Sequence, residues 1–359
     1  MSTKQLSAEA ESHIPEEKSG WKQIVRKYQV PSRWRSAWQL TNTLVPYALM
    51  WVLMYFSMQI SYWLVVPLGI LLGGFIMRTF IIFHDCTHSS FFKSKRANDI
   101  TGFITGVLSF TPYGQWRWEH AMHHASSGDL DRRGIGDVWT LTVEEYLASS
   151  RWRRFAYQIS RNPVVLFGIA PLLLFAVYQR IPNPKAPKRE RRGVHLTNLG
   201  ILVLGAGLSW VFGFVPYLVI QLGVLAVATG AGVWLFYVQH QFEDVYWERK
   251  GEWDYEKAAL EGSSFYKLPK ILQWFSGNIG FHHIHHLSPR IPNYELERAH
   301  NAEPLFNGVK PLTVRKSLKS LTFRLFDEER GKLTGYGPVK EERQRRKKAA
   351  REKAHSHTR

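Results

Sequence analysis

Ten of the fifteen histidines in this 359-residue chain fall in four short stretches: His84 and His88 in HDCTH, His120, His123 and His124 in HAMHH, His240 in VQHQFED, and His282, His283, His285 and His286 in HHIHH. On an α-helix, residues three and four apart share a face, so His84/His88, His120/His123/His124 and His282/His285/His286 each direct their imidazoles one way. His283 is turned about 100° from His282 and points elsewhere. With His240 this gathers nine ring nitrogens, more than one tetrahedral ion accepts, so the pattern requires two metals. Imidazole suits Zn, Cu, Fe and Ni alike. Structural zinc closes with four ligands and catalytic zinc keeps three, whereas nine histidines spread over two higher-coordinate ions with room for a small exogenous ligand. That distribution fits oxygen-activating iron better than hydrolytic zinc.

A ligating imidazole usually passes its other N–H to a carboxylate or carbonyl. Asp85, Asp129, Asp131, Asp137, Glu243, Asp244 and Asn278 stand close enough in sequence to the boxes to serve. Cys86 is out of phase with His84 and His88 and reads as packing. His13, His195, His300, His355 and His357 are isolated and read as solvated or capping.

The elements that must carry these boxes are apolar. Thr43–Ile60 and Tyr62–Phe83 each approach the ~20 residues that cross a bilayer as helix, and the short break between them implies a hairpin. Leu196–Phe214 and Val215–Val238 form a second pair with Gly213 and Pro216 at the turn. The first and third runs of histidines therefore sit close to span ends on one face. The shorter runs Ile100–Phe110 and Pro163–Tyr178 read as re-entrant or interfacial, because the basic segments on either side of the second belong on one side of the membrane. The expectation is an all-α integral membrane protein: about four transmembrane helices in two hairpins, re-entrant or interfacial helices, and a cytoplasmic histidine-rich catalytic cap. Arg78, inside the second span, is expected to snorkel.

A formal charge of +18 raises nucleic acid as a partner. The cations flank apolar spans instead, as positive-inside topology and anionic headgroups predict. One cysteine excludes an internal disulfide and fits a reducing, cytoplasm-facing site. No signal peptide is expected at the N-terminus. The chain divides into a cytoplasmic or interfacial arm (1–42), a membrane domain (43–338) and a basic tail without order (339–359).

The boxes, together with FIIFHDCTHSSFF, LDRRGIGDVWTLTVEEY, VWLFYVQHQFEDVYW, EGSSFYKLPKILQWFSGNIGFHHIHHLSP and PNYELERAH, resemble the three-histidine-box membrane fatty-acid desaturases, and in particular the acyl-lipid desaturases of Gram-positive bacteria, from about residue 35 to about residue 330. The resemblance implies a multi-pass plasma-membrane enzyme with boxes and both termini cytoplasmic. It implies two Fe ions (Fe2+/Fe3+), O2 as co-substrate, electrons from a ferredoxin or flavodoxin, and a membrane phospholipid acyl chain receiving a cis double bond. Close members act at Δ5, more distant ones at Δ12 or an ω position. Metal ligation carries over to His84, His88, His120, His123, His124, His282, His285 and His286, with His240 as the ninth. Acyl-CoA desaturases have an asparagine four residues before the equivalent of His240, where this chain has Phe236. That departure leaves one metal's coordination open to Asn278 or Glu243. A hydroxylase of the same superfamily is the nearest rival. A histidine-rich metal transporter would place its ligands within the spans, and these boxes flank them.

Overall fold

A computed structural model describes residues 20–356. Four helices are long and apolar enough to cross a membrane: Arg33–Ile60, Tyr62–Thr87, Lys188–Phe212 and Phe214–His240. They pair into two hairpins. Ser61 makes the first turn in extended backbone: its N–H closes one helix on the Ser57 carbonyl and its hydroxyl accepts the Trp63 N–H that opens the next. Gly213 makes the second at φ 88, a conformation that favours glycine.

The first span begins earlier than expected, because the Ser32 hydroxyl caps it by accepting the Arg35 N–H. The expected boundary at residue 42 therefore falls inside a helix. Residues 1–19 of the arm lie outside the described residues, and Gly20–Arg26 forms a short helix. The tail needs a larger correction. Gly337–Ser356 is helical, and Val339 is buried with Leu141, Tyr157 and Leu325. Its Lys, Arg, Glu and Ala are good helix formers, and Arg346 pairs with Glu342 one turn away.

Between the hairpins, Lys95–Leu108 buries Asn98, Gly102, Thr105 and Gly106 and exposes Ile100, Phe103 and Ile104, the division of an interfacial helix. Arg151–Ser160 and Val165–Arg180 together pass the length and apolarity of a span but meet at 63°. A bend of that size is common to a broken span and to a re-entrant loop.

The second and fourth spans pack closely, since Gly73 admits the Val227 side chain. Arg78 does not snorkel. It is buried over the Trp274 ring, 3.9 Å from its centroid, donates to Thr43 Oγ1 at 3.1 Å, and also bonds the Trp274 carbonyl. Satisfied donors remove the need to reach water. The cap is stitched by two small sheets, Leu141–Thr142 with Leu325–Asp327 and Lys332–Thr334, and Phe265–Lys267 parallel to Pro311–Thr313. Arg161, 1% exposed, fastens the cap to the fourth span by donating to Tyr237 Oη at 3.1 Å, Gln241 Oε1 at 3.0 Å and the Phe323 carbonyl at 3.2 Å.

Gly102 lies against the ring of Tyr113, whose hydroxyl is tied to the Cys86 carbonyl at 2.8 Å, and an added Cβ would overlap that ring. Gly102→Ala is expected to destabilise the protein by about 1–3 kcal/mol, read as a lower midpoint of thermal unfolding in detergent. An unchanged midpoint would mean that Tyr113 is free to move aside.

Candidate metal centre

Each box is placed by the end of an element. His84 lies in the last turn of the second span and His88 caps it. His240 is the final residue of the fourth span. That end is pinned by Gln239, which donates to the Ile279 carbonyl and accepts from the Ser264 N–H, both at 2.9 Å. The helix Tyr113–Ser126 turns His120, His123 and His124 inward, and the short helix His282–Leu287 supplies the rest. Since the two spans run in the same direction to their box ends, all four stretches meet on one side.

Two groups of rings result. His84, His88, His120, His124 and His285 bring one nitrogen each within 4.8 Å of one another, as do His123, His240 and His286. In the first, Nε2 atoms face each other across 3.0 Å (His84–His120), 3.1 Å (His120–His124) and 3.0 Å (His124–His285). In the second, His240 Nε2 lies 3.2 Å from that of His123 and 3.0 Å from that of His282, which joins this side. His124 and His286 stack at 4.2 Å and link the groups.

A neutral imidazole has one N–H and one lone pair, so a close pair can share a proton, but buried His88 Nε2 and His286 Nε2 are left with no hydrogen-bond partner. A cation at each group would satisfy those inward nitrogens. Burial, reinforced by adjacent imidazoles, holds His120, His124, His282, His285 and His286 well below the ordinary histidine range. They stay neutral, the form that binds metal.

Two carboxylates touch these rings. Asp137 Oδ1 accepts from His123 Nδ1 at 2.6 Å, and its other oxygen accepts the Gly134 N–H at 3.3 Å. Asp85 Oδ1 stands 3.3 Å from His84 Nδ1, while Oδ2 accepts from the Asn293 N–H at 2.7 Å and side-chain amide at 2.8 Å. The other expected neighbours are elsewhere. Glu243 pairs with Lys319 at 2.5 Å and Asp244 is exposed, because the chain leaves the fourth span outward after His240. Asn278 bonds Gln273 at 2.8 Å and the Asn293 carbonyl at 3.1 Å, so it braces the partner of Asp85. Asp129 holds Arg132, and Asp131 pairs with Arg249. The Phe236 ring sits 5.2 Å from both His123 and His240 and offers no ligand atom.

Sequence reasoning missed Asn293 and Trp116, which stacks on His120 at 4.2 Å. It also missed Ser127, whose hydroxyl stands 3.5 Å from His240 Nδ1. His283 turns away among Phe265, His300 and Phe306, and His300 is half-buried there, not solvated, against Phe281. His195 is exposed.

A family model described as fatty acid desaturase matches residues 61–310. The chain is 47% identical over 316 residues to a Bacillus subtilis (strain 168) protein named fatty acid desaturase, covering 88% of this chain and 90% of that one. It is 28% identical to the chloroplastic omega-6 fatty acid desaturase of Arabidopsis thaliana, over 69% of this chain and 55% of the relative. It is 27% identical to the sn-1 acyl-lipid omega-3 desaturase (ferredoxin) of Synechocystis, over 67% of each.

Asp137→Asn should weaken retention of metal by about 10–100-fold, measured as metal per chain after dialysis against a chelator; equal retention would reduce Asp137 to a loop contact. A second expectation concerns acid. The buried rings stay neutral in the folded state and titrate near 6.5 when unfolded, so below that pH the unfolded state binds more protons and folding loses stability. The unfolding midpoint of the metal-free chain should fall between about pH 7.5 and about pH 5.5, and a flat profile would contradict this account of the site.

Proposed function

The chain belongs to the fatty acid desaturase family, and from that membership we propose that it is an acyl-lipid desaturase with two iron ions held by its two imidazole groups. The observation that carries the reading is the pair of groups itself: buried, inward-facing rings gathered at the ends of two membrane spans. His84, His88, His120, His124 and His285 would hold one ion, and His123, His240, His282 and His286 the other. Bound there and reduced from outside, the ions would supply with O2 an oxidant able to take hydrogen from an unactivated methylene. The balance is one saturated acyl chain, O2, two electrons and two protons giving one cis-alkene and two waters.

The protein's own part is orientation and exclusion. Asp137 and Asp85 fix ring orientation through Nδ1, leaving Nε2 of His123 and His84 directed inward. Trp116 and Phe236 cover the rings with apolar surface. The substrate is a membrane phospholipid and the double bond falls at Δ5, as in the Gram-positive enzymes that the sequence resembles, with Δ12 or an ω position as the alternative. A ferredoxin or flavodoxin supplies the electrons, in line with the ferredoxin named for the Synechocystis relative. The enzyme lies in the plasma membrane with the boxes facing the cytoplasm.

Gas chromatography and mass spectrometry of lipids from cells lacking unsaturated chains, with double-bond localisation, tests this. Cells expressing the chain should gain a cis-monoene, and His123→Ala should reduce it at least about 100-fold while leaving membrane insertion intact. Hydroxylated chains would reassign the enzyme to the hydroxylases, and unaltered lipids with a working ferredoxin present would refute the reading.

A further inference from the structure

Beside His88 lies a surface pocket of about 270 Å³ lined by Gln29, Val30, Pro31, Ser89, Phe92, Lys93 and Arg290. The geometry points to it as the seat of the phosphate group of the lipid substrate. The inference rests on the acyl-lipid reading above and adds to it a place for the headgroup.

Four observations converge. Lys93 and Arg290 have no carboxylate partner among the described residues, whereas Lys27 pairs with Glu303, Arg35 with Glu295 and Lys95 with Asp99, and of the unpaired cations nearby these two line the pocket. Two unpaired cations at one pocket suit a phosphate, where Arg offers a planar fork of donors and Lys a point charge.

The pocket also abuts the metal centre. Ser89 follows His88 directly and is held at φ 56, a left-handed conformation uncommon for serine. Within the five-histidine group His88 alone is not fully buried. The far wall belongs to another box, since Gln29 donates to Ser288, two residues after His286, at 2.8 Å.

The pocket lies at headgroup depth. Gln29–Pro31 immediately precede the first span, whose opening turns expose Trp34 (79%) and Trp38 (59%), the aromatic marker of a membrane interface. Finally, its lining is mixed. Val30, Pro31 and Phe92 give the lining apolar surface beside the cations Lys93 and Arg290, so a phosphate can meet the charges while the glycerol and first methylenes meet apolar side chains.

The test uses the full chain in nonionic detergent, with native mass spectrometry counting retained phosphatidylglycerol or diacylglycerol of the same acyl composition. The expected result is retention of phosphatidylglycerol over diacylglycerol, and on the order of tenfold less retention in the Lys93→Gln/Arg290→Gln double variant. Metal content should be unchanged, and Lys332→Gln should behave as the parent. Equal retention by the double variant would overturn the assignment. So would full displacement of lipid by inorganic phosphate at matched ionic strength, which would make this a site for the free anion. A raised KM for the reduced electron donor with lipid retention intact would assign the cations to protein docking instead. Binding is read without turnover, so a chain that retains phosphatidylglycerol as expected but forms no alkene would count against the desaturase reading and not against the pocket.

Discussion

The fold is organised around nine imidazoles gathered in a protein interior. Their Nε2 atoms meet across 3.0–3.2 Å, and those of His88 and His286 find no hydrogen-bond partner, an arrangement suited to cations between the rings. The fold has to bring them together from four stretches far apart in sequence. It does so by ending two spans in histidine and by locking the cap to those ends. Gln239 bonds Ile279, Asp85 bonds Asn293, and Arg161 reaches Gln241, one residue beyond His240.

The charge balance around the rings is sparse. Asp85 and Asp137 are the carboxylates that the structure places in contact with the inward-facing histidines, and each touches a different group. The remaining cover is aromatic: Trp116 on His120, Phe236 against His123 and His240. A low-dielectric surround strengthens each electrostatic contact within it. The two groups differ in kind, with five rings in one and a phenyl ring beside the other.

Much of this was legible in the sequence because it is local. Helical spacing placed the rings of each box together, and hydropathy placed both hairpins and the glycine turn at Gly213. Asp137 and Asp85 were within reach of reasoning for the same cause, being a short distance along the chain from the histidines they touch. Locality also misled: Glu243 and Asp244 are near His240 in sequence, but the chain turns outward there. Asn293, 208 residues from Asp85, carries no local signal at all. Arg78 illustrates the limit for charge, because whether a cation snorkels depends on partners such as Thr43 and the Trp274 carbonyl, contributed by distant segments. The helical tail had a signal in its composition, but net charge was given more weight than helix propensity.

The way the second and fourth spans run unbroken into His84 and His240 gives the molecule a fixed gauge. Each residue of a helix advances about 1.5 Å and rotates about 100°, so the bilayer-anchored part of each span sets both the height of its histidine above the hydrocarbon and the direction it faces. Gain or loss of one residue within a span would swing a ring out of its group, whereas the hairpin turns and the loops of the cap can change length with little effect on the rings. The two histidine groups are thus levelled against the membrane-spanning helices themselves, whatever the length of the loops around them.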